Sequence, residues 1–212
     1  MSEKETLAQQ AYKDLKQRIL QGTFKAGDLL TERTLAGDSG ISRTPLRAAI
    51  SRLEKEGVVS RLANGALMVR PVTLEQLLEI IQIRRLLEAA AAARAAERPF
   101  TDALKTSRVV MQDYADGKDT AFDNFWMDDD RFHEAVADAA GLALLPGMLN
   151  ELRSIARRCT ITRTHDRFAD QAREHIAVID AIEERDAPRA AAAMEAHFDS
   201  AKNRFLGWLS RP

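Results

Sequence analysis

The sequence predicts a mainly α-helical protein in two parts: three helices closed by a β-hairpin wing, then an all-α bundle of six helices. Three observations predict it. Apolar residues recur at three- and four-residue spacing over most of the 212 positions. The stretch that breaks this rhythm, Val58 to Val69, holds two short β-prone runs joined across Ala63-Asn64-Gly65, and Asn-Gly tolerates the positive φ of a tight hairpin. Beyond Arg70-Pro71-Val72 no strand signal returns. That tripeptide is the natural boundary, giving domains over residues 1–71 and 72–212, each long enough for a modest core.

In the first part, Ala11, Tyr12, Leu15 and Ile19 form one stripe on a helix ending near Gly22. Gly27-Asp28 reads as a turn, and Thr31 can cap a short second helix that Gly37 and Gly40 end. The third helix lies in ISRTPLRAAISRLEKEGVV, residues 41–59, with Leu46, Ala49, Ile50 and Leu53 as its apolar face. Ser42 can cap it, and Pro45 falls in its first turn, where a missing N–H costs little. Helix, short helix, four-residue turn and helix is helix-turn-helix spacing, and the hairpin completes a winged helix. Arg43 and Arg47 are four apart and share a face, with Ser42 and Thr44 beside them. Two arginines and two hydroxyls at a helix N-terminus suit DNA, the guanidinium for guanine edges and the hydroxyls for phosphate. A surface helix with scattered charge is the plainer alternative.

In the second part, Thr73 can cap a long helix over 74–97, with Leu77, Ile80, Ile81, Arg84, Leu87 and Ala91 along one stripe. Its alanine run favours helix and lets neighbours approach closely. Five more helices are expected at 101–116, 119–139, 142–164, 168–185 and 187–209, separated by Pro99, Gly117, Gly141 with Pro146, Asp166, and Asp186 to Pro188. All four histidines follow residue 130. Asp129 and His133 share a helical face, and His175 and His197 lie on the last two helices. One carboxylate and three imidazoles meeting inside a bundle would suit Zn²⁺, Ni²⁺ or Mn²⁺ and leave positions open for a ligand. A carboxylate and a histidine at this spacing are also a common surface pair.

The net charge of −1 hides an asymmetry. Residues 1–70 hold 12 Lys and Arg against 8 Asp and Glu, a balance of +4, which leaves −5 for the rest. The single cysteine, Cys159, excludes an internal disulfide and a cysteine-rich zinc module, and reads as helix packing. The polar N-terminus MSEKETLAQQ carries no signal-peptide pattern, and no apolar run approaches spanning length, so a cytoplasmic protein without membrane contact is expected.

Residues 8–70 resemble the DNA-binding domain of the GntR family of bacterial transcription regulators, through the first helix, LLTERTLA, SRTPLRAAISRLEKEGVV and the NGA wing tip. The resemblance implies DNA contacts by Arg33 from the second helix, by Ser42, Arg43, Thr44 and Arg47 from the recognition helix, and by Gly65 in the minor groove. Two positions depart from the family pattern: Ala48 stands where an acidic residue is usual, and Asn64 where a basic one precedes the wing glycine. The second departure predicts a weaker wing contact. MDDDRFHEAVADAAG, REHIAVIDAIEERDA and MEAHF resemble the three metal-ligand segments of the FCD effector domain of the FadR-like branch. That implies Asp129, His133, His175 and His197 as ligands of a divalent metal; His165, Asp128 and Asp130 match nothing, and the two aspartates read as solvated neighbours. Six helices resemble the shorter VanR-type subgroup.

In such a domain the metal lies at the base of a cavity that takes a small carboxylate effector. Arg84, in RRLLE, resembles the cavity arginine, and Arg153 is a second candidate. A guanidinium can clamp a carboxylate with two hydrogen bonds; the plainer reading of Arg84 is an ion pair to Glu88 one turn on. Trp126, Met127 and Phe132 read as core. The expectation is a ligand-responsive regulator, most often a repressor and not an enzyme, binding an inverted-repeat operator as a homodimer. Rival readings are a metal sensor with no organic effector, a metal-dependent enzyme, and a DNA-packaging protein, which the acidic second half disfavours.

Overall fold

The computed structural model describes residues 5–159 and 168–209. His165, Asp166 and the end of the helix expected over 142–164 lie outside the described residues. The chain divides into two compact units, Met1–Val72 and Thr73–Pro212.

The first unit runs α1 (Leu7–Leu20), β1 (Leu29–Leu30), α2 (Glu32–Ser39), α3 (Arg43–Lys55), β2 (Val59–Arg61) and β3 (Leu67–Val69). Thr6 with Gln9 and Thr31 with Thr34 form capping boxes at the starts of α1 and α2, and Gly40 ends α2 at φ +65°. Ser42 holds the N-cap position of α3, but its side chain makes no capping hydrogen bond. The apolar stripes of α1 and α3 pack together, and Leu35, Val58, Val59, Leu67 and Val69 close the core. β3 lies between β1 and β2, antiparallel to both, with Leu29 opposite Met68 and Val59 opposite Val69. The sequence gives no sign of β1. Two residues are too short for a period, and Leu29 is 60% exposed; the strand forms because the Gly27-Asp28 turn brings its backbone against Val69, whose N–H donates to the Asp28 carbonyl at 3.0 Å.

The second unit consists, among the described residues, of α4 (Leu74–Ala96), α5 (Asp102–Ala115), α6 (Phe122–Ala139), α7 (Leu145–Ala156), α8 (Phe168–Glu183) and α9 (Ala187–Leu209). The six helices fall where the periodicity puts them, except that α6 and α7 each start three residues late and α7 ends at Ala156, the chain turning at 157–158 instead of continuing as helix. Thr73 with Gln76 boxes the start of α4, and Thr101 caps α5. α4 packs along α9, α8 lies against α5 and α9, and α6 reaches α4, α5 and α7. Ala91, Ala92, Ala95 and Ala96 are all buried, so the alanine run is the closely packed end of α4. Of the expected stripe, Leu87 is only half-buried, while Glu88 beside it is 1% exposed. Glu88 lies one turn beyond Arg84 and therefore on the inward face. Burying it is tolerable because its oxygens are paired.

Candidate metal centre and candidate DNA-binding face

Three helices of the second unit each turn one or two polar side chains toward one point in an otherwise apolar core. α6 contributes Asp129 and His133, α8 His175 and α9 His197, all buried. One nitrogen from each histidine lies within 4.8 Å of those of the other two. Asp129 completes the group, with its oxygens 3.4 Å from His175 Nε2 and 3.8 Å from His133 Nε2, and Gln171 Nε2 donates to it at 2.5 Å. His175 Nε2 has no hydrogen-bond partner although it is fully buried. A buried, unpaired imidazole nitrogen beside two others and a carboxylate has the donor chemistry of a metal-ligand set. These residues therefore fit a divalent metal bound by three nitrogens and one oxygen.

The outer nitrogens differ. His133 Nδ1 meets Glu88 Oε2 at 2.5 Å, and Glu88 Oε1 accepts from Arg84 Nε at 2.7 Å. His197 Nδ1 meets Glu174 Oε2 at 2.9 Å, and Glu174 accepts from both terminal nitrogens of Arg204 at 2.7 and 3.1 Å. His175 Nδ1 instead faces the Met111 thioether at 3.3 Å. Burial pushes His133 and His175 below the ordinary imidazole range, which favours the neutral, metal-ligating form. Burial opposes ionisation of both glutamates, but it is outweighed. Arg84 and His133 hold Glu88 well below the usual carboxylate range, and hydrogen bonds from His197 and Arg204 bring Glu174 down to about 2.

Beside the histidines lies a cavity of about 50 Å³, lined by Arg84, Trp126, Asp129, His133, His197 and Arg204 among others. Arg84 makes the ion pair to Glu88 through its Nε, and its Nη2 is buried and, among the described residues, unpaired. Arg153 is 3% exposed, lies 3.5 Å from Asp130 and is not part of that lining, and among the described residues its Nε and Nη1 lack hydrogen-bond partners. Three expectations need correction. Trp126 is not plain core, since it lines the cavity with a buried, unpaired indole N–H. Met127 is 47% exposed because its position on α6 faces away from the bundle, whereas Phe132 is core and stacks on His175 at 4.1 Å. Asp128 and Asp130 are not solvated neighbours. Asp128 accepts from Tyr114 and Arg131, both at 2.7 Å, and Asp130 pairs with Arg157 at 3.0 Å.

In the first unit, Arg33, Ser42, Arg43, Thr44, Arg47 and Gly65 are all exposed. Gly65 sits at the wing tip at φ +83°, with open space where a side chain would start. Arg47 does not stand free: its Nε donates to Glu32 Oε2 at 2.8 Å. The other oxygen of Glu32 accepts from Arg61 on β2 at 3.1 Å, and Arg61 also reaches Glu54 and the Gly65 carbonyl. Glu32 and Arg61 escape sequence reading because α2, α3 and the wing meet only in three dimensions. Arg61 supplies a positive charge near the wing tip where Asn64 does not.

Comparison with known proteins adds the following. Residues 7–69 match bacterial regulatory proteins of the gntR family, and residues 79–200 match the FCD domain. The Exu regulon transcriptional regulator of Escherichia coli K12 is 31% identical over 192 residues, covering 83% of this chain and 70% of that protein. The gluconate operon transcriptional repressor of Bacillus subtilis is 25% identical over 207 residues, covering 93% of this chain and 85% of the repressor. Among solved structures, E. coli McbR/YncC shares the fold with a TM-score of 0.81 at 20% identity, over 98% of this chain and 100% of that one.

Proposed function

The chain belongs to the gntR family of bacterial transcription regulators and carries an FCD domain, and on that footing we propose that it is a DNA-binding repressor answering to a small carboxylate. The winged-helix domain, residues 1–71, reads the operator through Arg33, Ser42, Arg43, Thr44, Arg47 and Gly65. The helical domain, residues 72–212, binds effector and pairs two chains, which set two winged helices on an inverted repeat. Asp129, His133, His175 and His197 would hold a divalent ion such as Zn²⁺, Ni²⁺ or Mn²⁺. That ion supplies a Lewis-acidic position for an anionic oxygen. We assign the carboxylate to the unpaired N–H of Arg84, at the cavity, with Arg153 as a second candidate.

The observation that carries this reading is a cluster of three buried histidines, two of which line the same cavity as Arg84 with its unpaired, buried Nη2. Buried donors without acceptors are costly, and an anion relieves them. The gluconate operon repressor of B. subtilis is named for the operon of a carboxylate, which supports the same class. The small cavity favours a second reading, a metal sensor without organic effector. About 50 Å³ holds only one or two water-sized groups.

A thermal-shift screen of gluconate and other small carboxylates, on metal-loaded and chelated protein, separates the two. A ligand at about a hundred times its Kd stabilises the folded state by roughly 2.7 kcal/mol, a shift of several degrees. The effector reading expects an acid-dependent shift that disappears on chelation. A shift from metal alone, to which no acid adds, selects the sensor.

A further inference from the structure

Two of the three buried histidines are held in the same way. One chain of contacts is Arg84, Glu88, His133, and the other is Arg204, Glu174, His197. We propose that Glu88 and Glu174 are positioning residues of the metal centre, each taking the Nδ1 proton side of one histidine so that its Nε2 lone pair is turned toward the ion. The inference rests on the metal reading above and extends it to four residues which that reading leaves out or uses otherwise.

A histidine that donates Nδ1–H to a carboxylate is fixed in one tautomer and one ring orientation, and its free nitrogen becomes a stronger donor. Each carboxylate here is itself immobilised. Glu88 is 1% exposed and gives one oxygen to Arg84 and the other to His133. Glu174 is gripped by both terminal nitrogens of Arg204 and still reaches His197. The arginines thus keep the carboxylates charged in a buried setting where they would otherwise be costly. His175 is the exception. Its Nδ1 faces the Met111 sulfur, a weak acceptor, so its ring is set by stacking on Phe132. The three imidazoles are therefore unequal ligands, two buttressed by carboxylates and one by packing.

The test is Co²⁺ and Zn²⁺ binding to the purified full chain, measured by competition with a chromophoric chelator and by the visible spectrum of the Co²⁺ form. Glu88→Gln and Glu174→Gln are each expected to weaken both metals 10- to 100-fold and to change the Co²⁺ band. His197→Ala should lose the spectrum altogether, and Met111→Leu should leave affinity within threefold of wild type. Glu174 is the more tolerant site, being 22% exposed, so Glu174→Gln decides the matter if Glu88→Gln does not fold. Wild-type affinity and spectrum in Glu174→Gln would overturn the positioning role while leaving the metal site standing. Absence of metal binding by the wild-type chain would overturn the site and this inference together.

Discussion

Glu32 is a single carboxylate that touches two exposed arginines the fold brings together, Arg47 of α3 and Arg61 of the wing. Hydrogen bonding from Arg47 is the main cause that holds its carboxyl below the ordinary range. With Nε engaged, the two terminal nitrogens of Arg47 remain for a bidentate guanine contact, and the side chain loses less freedom on binding. Glu32→Gln is therefore expected to lower the ratio of specific to random-sequence affinity about tenfold, within the ~1–3 kcal/mol of one bidentate base contact. Competition binding against duplexes enriched from a random library measures it. An unchanged ratio would reduce Glu32 to an ordinary exposed ion pair, worth ~0–1 kcal/mol. Arg43, exposed and without such a partner, should lose ~1–3 kcal/mol of specific affinity as Arg43→Ala. Asp129 and His133 were legible as a pair because helical spacing puts one-turn neighbours on one face, and His175 and His197 joined them only through the resemblance of their segments to the FCD domain. Glu32, Glu174 and Arg204 were not, because their meaning comes from partners 15 to 30 residues away on other elements.

Helices α1 and α3 are joined by more than their apolar stripes. At the end of α3, Glu56 accepts from Tyr12 Oη at 2.7 Å, from Lys16 Nζ at 2.9 Å and from Arg52 Nε at 3.0 Å. Burial raises the carboxyl, but the hydrogen bonds from Lys16, Tyr12 and Arg52 outweigh it and hold Glu56 below the ordinary value. A depressed folded-state pKa contributes stability above the unfolded value of ~4.3, and that contribution is lost as pH falls through the lowered folded value. Protection of α1 amides against hydrogen exchange in the full chain should therefore weaken below about pH 4.3. In Glu56→Gln it should already be weaker at pH 7 and depend less on acid. Equal acid profiles for the two proteins would remove Glu56 from the account. These elements also show what sequence can give. Caps at Thr31 and Thr73 are local chemistry and were readable; β1 exists only through β3. Leu87 and Glu88 exchange roles because an arginine and a histidine satisfy the buried acid, a fact no periodicity contains.

Across the chain, charge and chemistry divide with the fold: the +4 balance lies in residues 1–70 with the recognition helix, and the −5 in the remainder with the histidines. A dimer is the arrangement that puts two recognition helices on half-sites about 34–36 Å apart, one turn of DNA. Inserting five base pairs between the halves of the enriched site turns them to opposite faces and should reduce affinity to that of a single half-site; undiminished binding would mean that one chain suffices. No helix among the described residues is long and apolar enough to cross a membrane. The core of the second unit has a broader consequence. Three imidazoles and a carboxylate bind first-row divalent ions in an order set by the ions, with copper, nickel and zinc ahead of manganese and iron. With no cysteine in the set to sharpen that order, occupancy should track supply. Each copy of the protein would then carry a record of the metal pool in which it folded.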